Sequence, residues 1–205
     1  MKFGKIKCLL FDLDGVLING QTLQVNSTLE SLKKFTHITR EIKDLVKETI
    51  TTKEKLEILY LKNLIKKKHI NKIYINKKKI FGRKAFKKIK FNKRIYNVFE
   101  EIKKRKLKVG VVTNSNKESA VKILKKLKIF KYLEIIVTNN NRIKPKPNPE
   151  PYNYAMKILK VQKKNTLIFE DSPVGLLSAK RSGANYLKII SPKQISCNFL
   201  IRNLK

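Results

Sequence analysis

Two aspartates stand two residues apart in Phe11-Asp12-Leu13-Asp14-Gly15, directly after the apolar run Ile6-Lys7-Cys8-Leu9-Leu10. The run predicts a buried strand, and residues i and i+2 of a strand point the same way. A strand that stops near Asp12 delivers both acids to the carboxyl edge of a sheet, where open α/β folds hold ligands, and Gly15 lets the backbone turn away sharply. Two acids at one mouth repel each other and need a cation or a shared proton. A hard divalent ion with oxygen ligands is the simplest partner. Taken locally, an ordinary strand end followed by an Asp-Gly turn would read the same way.

Further strand ends supply the rest of a site. Leu107-Lys108-Val109-Gly110-Val111-Val112 ends at Thr113-Asn114-Ser115, and Leu167-Ile168-Phe169 ends at Glu170-Asp171. Between them the proline-rich connection Lys144-Pro145-Lys146-Pro147-Asn148-Pro149-Glu150-Pro151 is stiff, because each proline restricts itself and its neighbour. Acids, one hydroxyl and one lysine around a single mouth form a site for a divalent ion and a dianion. Each element alone is weak: Thr113 also suits a strand-end turn, and Glu170 a helix N-terminal acid.

The elements that must position these groups follow from periodicity. Ile95, Val98, Phe99 and Ile102 mark a helix face, as do Ala120, Ile123, Leu124 and Leu127, and again Tyr152, Ala155, Met156 and Leu159. Ile135-Ile136-Val137 and Tyr186 to Ile190 read as strands. Ser172 is an expected N-cap with Pro173 at the first helical position, and Gly183 is the expected stop of that helix. Strands alternating with helices predict an α/β, doubly wound, Rossmann-like parallel sheet with right-handed crossovers. Ile18 to Gln24 reads as a turn or flap. From Asn26 to about Arg94 helical spacing recurs, clearest at Leu56, Leu59, Tyr60 and Leu64, and three or four helices fit, with weak boundaries between His69 and Lys90. That block is too long for a crossover. The expected organisation is therefore a core of 1–18 and 95–205 and an inserted helical domain of 19–94.

The chain's 205 residues, 41% of them hydrophobic, can bury a sizeable core. Lys+Arg 49 against Asp+Glu 15 gives a formal charge of +34, which ordinarily suggests a polyanionic partner. The lysines are nevertheless spread over nearly every polar helix face, and the accompanying richness in Ile and Asn fits a bias of base composition. Cys8 and Cys197 match no metal or redox spacing, so no disulfide framework is indicated and Cys8 is expected to be a buried hydrophobe. The basic-then-apolar start is interrupted by Asp12 and Asp14, unlike a signal peptide, and no apolar run approaches a bilayer span. A cytoplasmic, monomeric protein is expected.

The chain resembles the haloacid dehalogenase superfamily of phosphotransferases. Asp12-Leu13-Asp14-Gly15 matches its first motif, and Val111-Val112-Thr113-Asn114-Ser115 its second. Lys146-Pro147-Asn148-Pro149-Glu150-Pro151-Tyr152 matches its third, and Ile168-Phe169-Glu170-Asp171-Ser172-Pro173-Val174-Gly175 its fourth. Lys144-Pro145 offers a second register for the lysine, but no tyrosine stands six residues after it, so Lys146 is preferred. The resemblance implies that Asp12 is a nucleophile forming an aspartyl-phosphate. It makes Asp14 the acid and base, with its backbone carbonyl on the metal. It also implies that Thr113, Asn114 and Lys146 bind the phosphoryl group, and that Asp12, Asp14, Glu170 and Asp171 hold Mg²⁺, Glu170 directly or through water. The insert corresponds to the family's helical cap, which closes over the substrate. Relatives often continue the first motif with Asp-Ser, whereas this chain has Asn19-Gly20-Gln21, which removes local acids without touching the catalytic set.

An acid at position 14 favours phosphate esters, because dehalogenases lack one there. The expected activity is a Mg²⁺-dependent phosphatase acting on a small phosphorylated metabolite, of the sugar phosphate or phosphoglycolate type. The alternative is a phosphomutase similar to β-phosphoglucomutase, which returns the phosphoryl group to its substrate. A polyanion-binding protein using the +34 charge ranks lowest, since few aromatics interleave the lysines along the chain and no nucleic-acid motif is visible.

Overall fold

A computed structural model describes residues 5–48, 50, 52–139 and 143–204. Residues 1–4, at the start of the stretch weighed above as a leader, lie outside the described residues. The chain divides into two compact units, Met1–Asn19 with Ile89–Lys205, and Gly20–Lys88.

The first unit is built on five parallel strands: β1 (Cys8–Phe11), β2 (Lys108–Val112), β3 (Ile135–Val137), β4 (Thr166–Glu170) and β5 (Asn185–Lys188). Their order across the sheet is β3-β2-β1-β4-β5. The chain runs outward from β1 to β2 and β3 on one side and to β4 and β5 on the other. The order therefore reverses at β1, and the crevice beyond the carboxyl ends of β1 and its neighbours is the switch point of the sheet. Phe11 is in register with Val111 on one side and Phe169 on the other, so the residues that follow all three strands emerge at one level.

Both faces of the sheet are covered at β1, which is why that strand is a continuous apolar run and not an alternating one. Cys8, Leu10, Val112, Val137 and Ile168 pack under Tyr152, Ala155 and Met156 of α7 (Glu150–Ile158) and Ala179 of α8 (Pro173–Ser182). On the opposite face Phe11 stacks on Phe169 at 4.5 Å between ring centroids. Phe11 also meets Phe99 of α5 (Lys93–Lys104), and Phe169 meets Phe199 of α9 (Cys197–Leu204). All four β1 side chains are fully buried, each contributing roughly 1.5–3 kcal/mol where it is a large hydrophobe. α6 (Lys117–Lys126) completes the unit and is capped by the Asn116 side chain, which accepts from Ser119 N–H at 2.8 Å. Burial pushes the Cys8 thiol up to about 12, in keeping with its expected role as an inert hydrophobe.

The second unit is helical: α1 (Gln21–Leu32), α2 (Arg40–Lys47), α3 (Thr52–Leu61) and α4 (Ile70–Lys88). Leu32, Ile42, Val46, Leu56, Leu59, Ile65 and Ile73 form its core. The Ser31 hydroxyl ties α1 to α4 by donating to Ile73 C=O at 2.8 Å. Two expectations need correction here. The turn after β1 ends at Gly20, so residues 21–24, read as flap, already belong to α1. The stretch with weak boundaries after His69 is one helix of 19 residues.

Candidate active site

The four strand-end segments meet at one edge of the α/β unit. Asp12 leaves β1 with its N–H still on Phe169 C=O at 3.0 Å, so the sheet ladder holds its backbone up to the last residue. The chain then reverses tightly, with Gly15 N–H on Ile18 C=O at 2.7 Å and Gly15 at φ +91. That glycine is required twice over. Its φ is one that only glycine adopts freely, and a Cβ there would collide with the Asp171 carboxylate.

Lys146 is the centre of the arrangement. Its ammonium donates to Asp12 Oδ1 at 2.6 Å, to Val112 C=O at 2.7 Å and to Glu170 Oε1, which matches its three protons to three acceptors. Lys146, Asp12 and Glu170 are buried to 6%, 7% and 0% exposure, so this is an ion cluster out of water and not a surface bridge. The lysine is held by its backbone as well. Asn114 accepts from Lys146 N–H and donates to Lys146 C=O, both at 3.1 Å, a two-point clamp between the loop after β2 and the proline-rich loop. Lys144, the alternative register, sends its N–H to Glu150 Oε2 instead.

Glu170 is surrounded by donors. Oε1 accepts from Lys146 and from the Tyr152 hydroxyl at 2.6 Å, while Oε2 accepts from Asp171 N–H at 3.2 Å and the Ser172 hydroxyl at 3.5 Å. Gly175 presses against the same carboxylate, and a Cβ there would collide with it. Ser172 also caps α8 by accepting from Gly175 N–H at 3.0 Å, and Pro173 and Gly183 start and stop that helix as their positions predict. Thr113 is buried and its Oγ1 accepts from Ser115 N–H at 3.1 Å, and the Ser115 hydroxyl is 3.4 Å from Asp14 Oδ2.

Three acids, Asp12, Glu170 and Asp171, bring carboxylate oxygens within 4.8 Å of one another. The acids outnumber the one lysine, an imbalance of the kind a divalent cation relieves. Asp171 Oδ1 is buried with no hydrogen-bond partner among the described residues, which is the condition of a ligand atom prepared for a cation. The crowding registers in proton affinity. Burial, then the charges of Glu170 and Asp14, push the Asp171 carboxyl up to about 7. Burial also pushes Asp12 well up, opposed by Lys146 and reinforced by Glu170 and Asp171. For Lys146 burial pulls downward, but the charges of Asp12 and Glu170 outweigh it and keep the ammonium protonated. Burial and the charge of Glu170 raise Tyr152 far above its ordinary range, so it stays a donor.

All of Asp12, Asp14, Thr113, Asn114, Lys146, Glu170 and Asp171 therefore gather in one place. The structure adds details to the expected roles. The Asn114 side chain engages the Lys146 backbone, and the Glu170 carboxylate engages protein donors at both oxygens. Asp14 enters the acid cluster through its neighbours, since the ligand oxygens within 4.8 Å come from Asp12, Glu170 and Asp171. Sequence reasoning missed Tyr152 as a partner of Glu170 and Ser115 as a partner of Asp14. The signal for Tyr152 was its place six residues after Lys146; Ser115 carried none beyond its motif.

Residues 9–189 match the family model described as haloacid dehalogenase-like hydrolase. Pyrophosphatase PpaX of Bacillus mycoides (strain KBAB4) is 23% identical over 189 residues, covering 90% of this chain and 84% of that protein. Among solved structures, a HAD hydrolase, family IA, variant 3, from Entamoeba histolytica superposes with a TM-score of 0.79 at 23% identity, covering 97% of this chain and 99% of that one. A β-phosphoglucomutase from Clostridium difficile superposes with a TM-score of 0.70 at 18% identity, covering 97% of each. The order of the motifs, the sheet that gathers them and the extent of the family match lead to one conclusion: the chain belongs to the haloacid dehalogenase-like hydrolases.

Proposed function

We propose that the protein is a Mg²⁺-dependent phosphatase that hydrolyses a small phosphate monoester through an aspartyl-phosphate. The observation that carries this reading is the Asp12 carboxylate, buried, held at 2.6 Å by Lys146 and set in a cluster of acids that outnumber that lysine. In the first step Asp12 attacks phosphorus and the P–O bond to the substrate's alcohol breaks, while Asp14 gives its proton to the departing oxygen. In the second, Asp14 takes a proton from water, the resulting hydroxide attacks the aspartyl-phosphate, and inorganic phosphate leaves with Asp12 restored. Thr113 donates its hydroxyl to a phosphoryl oxygen, and Lys146 fixes Asp12 and offsets developing charge. Asp12 and Asp171, with the Asp14 carbonyl and with Glu170 through water, would hold the Mg²⁺. When bound, the ion supplies charge neutralisation for acids and phosphate together.

The inserted domain expected from the sequence is part of this proposal, with its helical unit Gly20–Lys88 as a cap that selects the leaving group. The test is release of inorganic phosphate from sugar phosphates, phosphoglycolate, nucleotides and pyrophosphate, with and without Mg²⁺, for wild type and Asp12→Asn. Turnover that needs the ion and is lost in Asp12→Asn is the expected result. Turnover that survives Asp12→Asn would refute the nucleophile. Conversion of a sugar phosphate primed by a bisphosphate, with little phosphate released, would replace the phosphatase by a mutase.

A further inference from the structure

The α/β unit carries an aromatic, basic cleft built from residues outside the catalytic constellation. Phe91 precedes α5, Tyr96 lies on it, Lys125 is on α6, and Lys128, Phe130 and Lys131 follow α6 in the turn toward β3. The cleft measures about 560 Å³, within the range of sites that hold a nucleotide-sized group. Phe91 and Phe130 are 47% and 38% exposed although both are large hydrophobes. Every lysine lies near a ring: Lys128 at 5.1 Å from Phe91, Lys125 at 5.5 Å from Phe130, and Lys131 at 5.5 Å from Tyr96 and 5.0 Å from Tyr132. Phe91 meets Tyr96 at 5.7 Å and 60°, and Tyr96 meets Tyr132 edge-on at 5.9 Å. No residue lining the cleft is acidic.

We propose that this cleft binds single-stranded nucleic acid. Three ammonium groups crowd a recess without an acid, so the missing counter-charge is anionic. The exposed surface of Phe91 and Phe130, beside the lysine that each ring carries, suits a flat apolar partner at the same place. A chain of phosphates with unstacked bases supplies both, with phosphates on the lysines and bases on the rings. Duplexes keep their bases stacked on one another and offer no free face. An anionic membrane supplies phosphates but no flat ring to stack on Phe91 and Phe130. Read along the sequence, the aromatics look sparse among the lysines. They converge only when α5 and the turn after α6 come together.

The test separates stacking from the diffuse attraction that a +34 chain exerts on any polyanion. Anisotropy of a labelled short oligouridylate with a 5′-hydroxyl end is measured in EDTA, beside an abasic oligomer of the same charge, uridine monophosphate as competitor, and phosphatidylserine vesicles. Phe91→Ala and Phe130→Ala change no charge, and each should weaken oligouridylate binding about tenfold, with little effect on the abasic oligomer. Lys125→Gln, Lys128→Gln and Lys131→Gln together should flatten the salt dependence of log K by about two, and Lys180→Gln on α8 by less than one. Circular dichroism and unchanged phosphate release show that the variants fold. Equal binding of oligouridylate and abasic oligomer, or aromatic variants that bind like wild type, would overturn the proposal. So would a monophosphate that competes at the oligomer's own affinity, or loss of vesicle binding alone.

Discussion

Replacing Lys146 by Met removes the one positive charge from the buried cluster while keeping most of its volume. Asp12 and Glu170 lose an ammonium that each touches, and Val112 C=O loses its donor. Breaking a buried ion pair by deleting one partner costs about 3–5 kcal/mol, because the remaining charge stays out of water. Here two carboxylates are stranded beside Asp171, so the upper half of that range applies at pH 7.5. With a denaturant slope of roughly 2–3 kcal/mol per molar urea, the midpoint should fall by about 1–2 M. The cost must also depend on pH. Burial already pushes Asp12 above its ordinary value, and without Lys146 the upward push is unopposed, so Asp12 takes up a proton more readily than in the wild type as pH falls. A neutral acid needs no counter-charge, and the difference from wild type should shrink at pH 5. The assay is urea unfolding followed by far-UV circular dichroism in EDTA at both pH values, with phosphate release lost at either. A midpoint shift under about 0.3 M, or one equal at the two pH values, would refute the reasoning.

Asp171 sets a second pH dependence. Its folded value of about 7 stands above the unfolded 3.8, so the folded protein keeps a proton that the unfolded chain gives up between those limits. The stability it contributes is full below the unfolded value and is lost as pH rises through about 7. Metal-free thermal stability should decline over that window, and Mg²⁺ binding measured by calorimetry should tighten over it, with proton release near pH 6. Tyr152→Phe removes a hydrogen bond to a buried charge and should cost about 1.5–3 kcal/mol in chemical unfolding while leaving the ring in place. Gly175→Ala places a methyl against Glu170 and should lower kcat at least tenfold with a smaller change in KM, whereas Gly183→Ala should cost stability alone through its φ of +76. Equal kinetic losses in the two glycine variants would contradict the contact.

The α/β unit was readable because β1, β2 and β4 are apolar runs ending in chemically distinctive residues, whereas the strand expected at Tyr186 to Ile190 is the half-polar β5, Asn185–Lys188. Ile135-Ile136-Val137 coincides with β3, and Leu167-Ile168-Phe169 extends by one residue at each end into β4. The terminal helix α9 was not anticipated, since Asn198, Arg202 and Asn203 dilute the apolar face that carries Leu200. In α4 the period is present at Ile70, Ile73, Tyr74, Ile80, Phe81 and Ala85, but Lys77 falls on the same face and breaks the pattern. The structure shows how that lysine is accommodated: it is buried, bonded to the Gln24 side chain and placed over the Phe81 ring at 5.7 Å. Of the site, the reactive groups were legible from their types, but the contacts that hold them were not. The Asn114 clamp and the Tyr152 bond depend on loops meeting across the sheet, which no local pattern encodes.

The contacts described above that fix the reactive groups join residues 12–15 to residues 112–175, or residues of that second range to one another, all within the α/β unit. The helical insert enters the chain after Asn19 and returns at Ile89, so it interrupts no strand and supplies none of these bonds. The site can therefore persist while the insert drifts. A change within residues 20–88 leaves these bonds in place, whereas a change at Asn114, Tyr152 or Gly175 acts on them directly.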